Sequence, residues 1–201
     1  MTWREKQFVD QVFAHDDFST ASLQTCTFER CDFRDTRWTE AVLSECSFVE
    51  CSFAGSDLNG VAARSCNFLN CDFRGAVAML SGSLAECRMT GSRFDEANFA
   101  GLEIQGGDWS YASLRGLDLR RQVLAGVRLR EADLSGCNLQ EVDLRGADLR
   151  QAIVRDAKVR GADFRGADLE GVDLGQLVLH GVKLDLQGAV ALARSLGAVV
   201  E

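Results

Sequence analysis

The chain has 201 residues, of which 46 % are hydrophobic and 26 % charged, and its formal net charge is −8. This length fits one domain, and no apolar run reaches the roughly 18 residues that predict a membrane-spanning helix. The acidic balance argues against nucleic-acid binding through a basic surface and favours a basic partner. The first residues lack the apolar core of a signal peptide, so we expect a cytoplasmic location and no membrane association.

A large apolar side chain recurs at every fifth position from Phe8 to Leu184. We call this the central position. A period of five fits neither an α-helix nor a flat strand, so it predicts a chain that coils with a repeat of its own. Two residues earlier lies a small residue such as Ala21, at what we call the inner position. Two residues later lies the corner, often glycine as at Gly136, which tolerates a positive φ.

The five-residue period changes phase once. Central residues follow the phase of Phe73 before the change and the phase of Leu84 after it. This shift predicts a one-residue insertion near Arg74 to Met79, within residues 75–78. We expect Met79 to be the first central residue of the new phase.

Eight cysteines, six of them in pairs with a C-x4-C spacing, could indicate metal binding or disulfides. All eight fall at the inner position, which Ala, Val and Ser fill elsewhere. We therefore expect buried, free thiols and no metal site. Cysteines stacked in successive coils would have parallel Cβ vectors, which is poor geometry for a disulfide.

Motifs of catalysis are missing from the sequence. His15 and His180 are the two histidines and lie at opposite ends of the repeat. No nucleophile elbow, phosphate-binding loop or dinucleotide fingerprint is present. We expect no enzyme activity, no catalytic residue, no cofactor and no small-molecule substrate.

The repeated unit, as in 132–136 with the sequence A-D-L-S-G, closely resembles that of the pentapeptide-repeat proteins. The resemblance implies an all-β fold, a right-handed quadrilateral β-helix with four pentapeptides per coil and about nine coils. At ~4.8 Å per coil the rod would be roughly 43 Å tall. We expect a single domain over 1–201, with repeats over about 6–185. Because Asp16 is an acid at an inner position, we expect the first coil to fray.

Exposed acids accumulate towards the C-terminal coils. Many have a base beside them, as Asp143 has Arg145 and Asp148 has Arg150, which offsets repulsion between like charges. We predict that a basic partner binds the remainder as an acidic surface, made of Glu131, Asp133, Asp148, Asp156, Asp168, Glu170 and Asp173.

The pentapeptide pattern stops at Leu184 and helical spacing follows over about 186–197, with Asp185 as N-cap and Gly197 at the end. The helix has two possible roles. It closes the open core of the last coil, or its remaining apolar surface joins a second copy in a two-fold dimer. The predicted dimerisation residues are Leu186, Val190, Ala193, Leu196 and Val199.

The Cys- and Phe-rich first half, the Leu-rich second half and the segment 182–192 look like the MfpA- and Qnr-type fluoroquinolone-resistance proteins, with the albicidin-immunity type as a relative. This resemblance implies a homodimer, joined through the C-terminal helix, that mimics DNA and binds DNA gyrase or topoisomerase IV without binding nucleic acid directly. Many Qnr proteins extrude loops between coils, whereas this chain has only the one-residue insertion, so gyrase binding and drug protection are separate expectations. The alternative is a scaffold of the same fold with another protein partner.

Overall fold

The computed structural model describes residues 1–78 and 82–200. They form a right-handed quadrilateral β-helix followed by one α-helix, as the repeat predicts. Each coil pairs in parallel with the next at a register of 20 residues, as Phe8 does with Phe28 and Phe28 with Phe48. Within the described residues this register extends to the pairing of Asp163 with Lys183, which corresponds to about nine coils.

The four faces of the coil are named by their central residues. The first face begins with Phe8, the second with Phe13, the third with Phe18 and the fourth with Trp3. The fourth face carries a six-stranded sheet of β1 (Thr2–Arg4), β3 (Ser22–Gln24), β5 (Val42–Ser44), β7 (Ala62–Arg64), β9 (Gly82–Ala85) and β10 (Leu102–Gln105). The first face carries a four-stranded sheet of β2 (Gln7–Val9), β4 (Thr27–Glu29), β6 (Ser47–Val49) and β8 (Asn67–Leu69). Elsewhere successive coils are joined by isolated parallel bridges.

Central side chains stack directly above one another in the core. The rings of Phe28 and Phe48 have centroids 4.7 Å apart and planes inclined by 3°. Rings on neighbouring faces meet edge to face, as Phe28 and Phe33 do at 5.3 Å. Both arrangements are favourable for aromatic pairs, so the first coils gain attraction beyond the burial of apolar area.

All eight cysteines are buried and free, which confirms their predicted inner position. Burial in an apolar environment raises the pKa of the Cys137 thiol to about 12. This thiol therefore stays protonated at neutral pH and behaves as a small apolar side chain.

The corner residues have the left-handed conformation that the glycines predicted. Gly136 has φ of 68° and Gly146 has 66°. Corners of the first coils hold other residues in the same conformation, including Glu45 and Glu50, both with φ of 54°. Each non-glycine corner costs about 1 kcal/mol of backbone strain, which the hydrogen bonds between coils must offset.

Aspartates immediately before the central residue have a backbone role that the sequence pattern did not reveal. Where coils are joined by isolated bridges, as at Leu134 and Phe164, the N–H immediately after the central residue has no backbone partner in the coil above or below. The preceding Asp or Asn accepts it: Asp133 Oδ1 accepts from Ser135 N at 2.9 Å, and Asp163 Oδ1 from Arg165 N at 3.2 Å. The Asp of the A-D-L unit is therefore a structural hydrogen-bond acceptor.

The extra residue lies slightly later than predicted. Residues up to Val77 pair with the coil below at a register of 20, and residues from Ser83 to Asn98 pair at 21, after which the register returns to 20 at Leu102. The insertion therefore falls between Val77 and Ser83, and the prediction of 75–78 was too early. Met79 lies outside the described residues, and the buried Ala78 occupies the central position of its pentapeptide.

The ladder of backbone hydrogen bonds is interrupted between the coil of Phe99 and the coil above it. Central N–H groups normally donate to the next coil, as Phe94 N does to Ser113 O at 2.9 Å and Trp109 N to Arg128 O at 2.8 Å. Among the described residues no such bond forms from Phe99 N or Ile104 N. Two adjacent faces, the third and the fourth, are thus open at this level.

Oversized inner residues explain this interruption. On the third face Leu117 stands where neighbouring coils have Ala97 and Cys137. On the fourth face Gln122 stands above Leu102, and its side-chain Nε2 donates to Leu102 O at 2.9 Å in place of a backbone N–H. Larger side chains at a position built for Ala or Cys prevent the two coils from approaching to strand distance.

Both ends of the rod are ordered. The first coil pairs with the second on all four faces, so the expected fraying around Asp16 is not seen. The helix α1 spans Leu186–Ser195, two residues shorter than predicted. Asp185 is its N-cap, with Oδ1 accepting from Gly188 N at 2.9 Å, and Gly197 follows the helix with φ of 87°. No helix among the described residues has the length and apolarity to cross a membrane.

Hydrogen exchange should locate the interruption. Because Phe99 N and Ile104 N lack a partner carbonyl, we expect them to exchange at least about 100-fold faster than Phe94 N and Trp109 N. Amide-resolved exchange followed by NMR measures this difference. Equal protection at the four amides would show that the ladder is continuous.

Acid should remove the stabilisation that the buried Asp163 provides. The hydrogen bond from Arg165, with Nη2 2.6 Å from Oδ2, lowers the pKa of Asp163 from 3.8 to about 2. A lowered pKa stabilises the fold above about pH 4, and this contribution is lost as the pH falls towards 2. We expect Asp163→Asn to lower the free energy of unfolding at pH 7 by about 1–2 kcal/mol. The difference from wild type should vanish near pH 2.

Urea titrations at the two pH values measure this effect. Glu40→Gln, at an exposed corner, is the matched control and should unfold like the wild type at both. A loss for Asp163→Asn that persisted unchanged at pH 2 would mean that the charge is not its cause.

Candidate partner-binding surface

The seven predicted acids do not form one continuous patch. They are distributed over three parts of the surface. The first face and its corner hold Glu131, Asp148, Asp168 and Glu170, the second face holds Asp133 and Asp173, and the corner between the second and third faces holds Asp156.

Ion pairs reduce the charge that four of these acids can offer a partner. Arg150 lies between two of them and is shared by Asp148 and Asp168, so Asp168 has more basic contact than the sequence suggested. Among the described residues, Asp156, Glu170 and Asp173 make no ion pair. The pairs are Arg130–Glu131 at 3.4 Å, Arg115–Asp133 at 3.2 Å, Arg150–Asp148 at 2.5 Å and Arg150–Asp168 at 3.5 Å.

A groove of about 750 Å³ runs between the last coil and α1. Asp168, Glu170 and Asp173 line it on the side of the coil, and Leu186 and Val190 line it on the side of the helix. The structure thus brings three of the predicted acids together with two of the predicted dimerisation residues. We call this the terminal groove.

Local hydrogen bonds fix the acids of the terminal groove. Asp168 Oδ1 accepts from Glu170 N at 3.2 Å. Asp173 accepts from Gly175 N at 3.1 Å and from Gln176 Nε2 at 2.9 Å. Both carboxylates are thereby held in place while they remain charged, and Glu170 is exposed beside them. Arg194, which sequence reasoning had not singled out, also lines the groove and adds one positive charge.

The helix α1 divides into two sides. Gly188 is buried, and Ala191 and Leu192 pack against the hydrophobic core, so this side closes the last coil. Leu186 and Leu196 are 81 % and 66 % exposed. The helix therefore serves as a cap and keeps an exposed apolar surface. Of the other three predicted dimerisation residues, Val199 is 88 % exposed, whereas Val190 and Ala193 are half-buried.

The described residues offer no candidate metal site. Within 1–78 and 82–200 no group of His, Cys, Asp and Glu side chains is arranged to hold a metal ion. One buried polar atom there lacks a hydrogen-bond partner, Nε1 of Trp109, and it lies in the core next to the interrupted ladder. The arrangement offers binding by charge and apolar contact.

Two family models match the sequence. The model of pentapeptide repeats matches in eight copies over residues 112–151 and 154–185. The model of the SV2A/B/C luminal domain matches residues 2–73. Among curated proteins no sequence matches.

Solved structures of QnrB1, a plasmid-mediated fluoroquinolone resistance protein, are similar over their whole length. One trypsin-treated form is 25 % identical, with a TM-score of 0.85 and 100 % of both chains covered. A second is 26 % identical, with a TM-score of 0.86 and coverage of 98 % of this chain and 99 % of that chain. Full-length QnrB1 is 22 % identical, with a TM-score of 0.66 and coverage of 98 % and 100 %.

The family match covers the coils that bear the predicted acids, and the structural similarity extends the same architecture to both ends of the chain. Coils of four pentapeptides at a register of 20 residues, with stacked central side chains, are the physical basis of that match. The chain has the pentapeptide-repeat fold, a right-handed quadrilateral β-helix.

Proposed function

We propose that this protein binds DNA gyrase, a type II topoisomerase, as a DNA-mimicking homodimer. It would modulate the enzyme or protect it from quinolones or from a natural gyrase poison. The observation that carries the proposal is the similarity to QnrB1, a fluoroquinolone resistance protein, over the whole of both chains. The proposed role is one of binding, without catalysis and without direct contact with nucleic acid, and it places the protein in the cytoplasm with gyrase.

Charge density limits how the protein can imitate DNA. Duplex DNA carries one charge per ~1.7 Å of its axis. A net charge of −8 on a rod of nine coils, each ~4.8 Å high, gives roughly one charge per 5 Å. The rod as a whole is therefore a weak imitation, and mimicry requires acids that are concentrated and free of ion pairs.

The terminal groove supplies such a concentration. Glu170 and Asp173 make no ion pair with the described residues, and Asp168 has only the long contact to Arg150 at 3.5 Å. If two copies join through α1, their terminal grooves meet near the joint and the number of free acids there doubles. A basic DNA-binding surface would then be attracted to the middle of the dimer, mainly through a faster association rate.

The apolar side of α1 supports the dimer. Exposed Leu186, Leu196 and Val199 lie at the same end of the rod. Apolar residues grouped in this way are typical of an interface, whereas the exposed valines of the coils occur singly. The groove and the interface are adjacent, so loss of the dimer should also weaken gyrase binding.

Gyrase supercoiling assays test the proposed function. We expect the wild-type protein at micromolar concentration to inhibit supercoiling or to relieve inhibition by ciprofloxacin. The triple variant Asp168→Asn, Glu170→Gln, Asp173→Asn should require at least about tenfold more protein for the same effect, because it removes the free charges of the groove.

A matched variant separates local charge from total charge. Glu40→Gln, Glu45→Gln, Glu50→Gln also removes three exposed acids, but at corners far from α1. It should retain wild-type activity on gyrase. Failure of the wild type both to inhibit and to protect would refute the function, and equal loss in both triple variants would refute the groove alone.

Sedimentation velocity tests the dimer. Leu196→Asp places a charge on the apolar side of α1, and we expect it to convert the dimer to a monomer because an unpaired charge cannot be buried at an interface. Val123→Asp is the control, since Val123 is 63 % exposed on the coils and should tolerate the change. A Leu196→Asp protein that sediments as a dimer would assign the interface to another surface.

A further inference from the structure

The last coil is attached to the coil below on only two of its four faces. On the first face Leu149 N donates to Asp168 O at 2.9 Å, and on the fourth face Phe164 N donates to Lys183 O at 2.9 Å. On the second and third faces, between these points, the corresponding bonds from Val154 N, Asp156 N and Val159 N are absent from the described part of the chain.

An oversized inner residue accompanies this opening, as it does lower in the rod. Leu177 stands at the inner position of the third face, directly above Ala157. It is half-buried, and its N–H donates to Leu174 O at 3.1 Å, as inner residues do in regular coils. Leu174 N donates to Val172 O at 3.2 Å, a tight turn that the regular coils do not have.

A cleft of about 650 Å³ lies at the opening. Asp156, Lys158 and Arg160 line it from the lower coil, and Gln176, Val178 and His180 line it from the upper coil. A volume of this size is within the range of ligand sites in proteins. It lies at the third face, whereas the terminal groove lies between α1 and the first and second faces.

The lower edge of the cleft is an unpaired strand edge. In the cleft it carries two N–H donors, from Asp156 and Val159, and between them the carbonyl of Ala157, which in a regular coil would accept from the coil above. None of these three groups has a backbone partner among the described residues. Donors and acceptor therefore alternate along this edge as they do along the edge of a parallel sheet. The coils remain joined at the next corner, where Gly161 N donates to His180 O at 3.1 Å.

The charge beside this edge is opposite in sign to that of the whole protein. Lys158 and Arg160 flank Val159, are exposed, and make no ion pair with the described residues. Arg155 is likewise unpaired there, and Asp156 is the one acid lining the cleft. In a chain of net charge −8 these residues form a local positive site.

We propose that this cleft binds an extended acidic peptide segment of a partner protein by strand addition. A small anion would use the N–H donors and the basic side chains but leave the carbonyls of the edge unpaired. An extended peptide supplies both donors and acceptors, and thus satisfies the whole edge. Lys158 and Arg160 are two residues apart, the spacing of side chains on one face of a strand, so acids at alternate positions of the peptide would lie beside them.

Fluorescence anisotropy with a labelled Val-Glu-Val-Glu-Val peptide tests the proposal on the full chain. We expect saturable binding, and slower hydrogen exchange at Asp156 N and Val159 N when the peptide is present. The same peptide with Lys in place of Glu should not bind. Binding of the lysine peptide with equal affinity, or binding without protection of these amides, would overturn the proposal.

Charge variants identify the site. Lys158→Glu with Arg160→Glu should weaken binding of the glutamate peptide at least about tenfold, because attraction becomes repulsion. Arg64→Glu with Arg88→Glu makes the same change in net charge with two exposed arginines on other faces, and should bind as the wild type does. Equal loss in both double variants would mean that the peptide responds only to total charge.

A core variant tests the open edge itself. Leu177→Ala gives the third face the small inner residue of regular coils, so we expect Val159 N to become protected from exchange and peptide binding to be lost. Peptide binding that survives protection of this amide would exclude strand addition. Displacement of the peptide by inorganic phosphate at equal concentration would instead identify a site for small anions.

Discussion

The size of the side chain at the inner position is the constraint on which the rest of this structure depends. Coils pair at strand distance only if the inner residue leaves room for the backbone above it, and Ala, Cys, Ser and Thr meet that condition. Val61 and Val142 are still tolerated, since their coils remain paired on both sides. Leucine is not tolerated on the third face: at Leu117 and at Leu177 the ladder opens. The fourth face is more permissive, because Leu102 lies at its inner position and its strand still pairs with β9 below.

Backbone hydrogen bonding also determines how much charge remains for a partner. Where coils are joined by isolated bridges, the outward N–H after the central residue has no partner in neighbouring coils. An Asp or Asn two residues earlier accepts it where one is present, as Asp133 and Asp163 do. That Asp then attracts an Arg at the position of the exposed N–H, as Asp163 attracts Arg165 at 2.6 Å. Many of the aspartates therefore hold the coil through these hydrogen bonds, and the adjacent arginines neutralise their charges. Only acids whose neighbours are uncharged, such as Glu170 and Asp173, extend an unbalanced field into solvent.

The sequence predicted those properties that every pentapeptide repeats. The single pentapeptide unit predicts the burial of the central and inner residues, the thiols in the core and the corner conformation. The N-cap at Asp185 follows from the local sequence at the start of α1. The insertion was misplaced because Ala78 and Met79 are both apolar, and only the register of the neighbouring coil shows which is central. The acidic surface was predicted as one patch because its acids are close along the chain, whereas the 20-residue period distributes them over different faces. Both interruptions depend on contacts between residues 20 apart, although the large inner side chains Leu117, Gln122 and Leu177 were visible signals.

The two openings differ in what they expose, and this difference follows from their flanking residues. Beside the lower opening Arg120 is paired with Asp118 at 2.6 Å and Arg121 with Glu141 at 2.9 Å, so that surface is locally neutral. Beside the upper opening the bases have no such partners among the described residues. The last coil therefore carries free acids on its first and second faces, and free bases lie below its third face. The two surfaces are nevertheless linked, because Gln176, which lines the cleft, donates from Nε2 to Asp173 of the terminal groove at 2.9 Å, so a strand added to the open side acts on the acids of that groove.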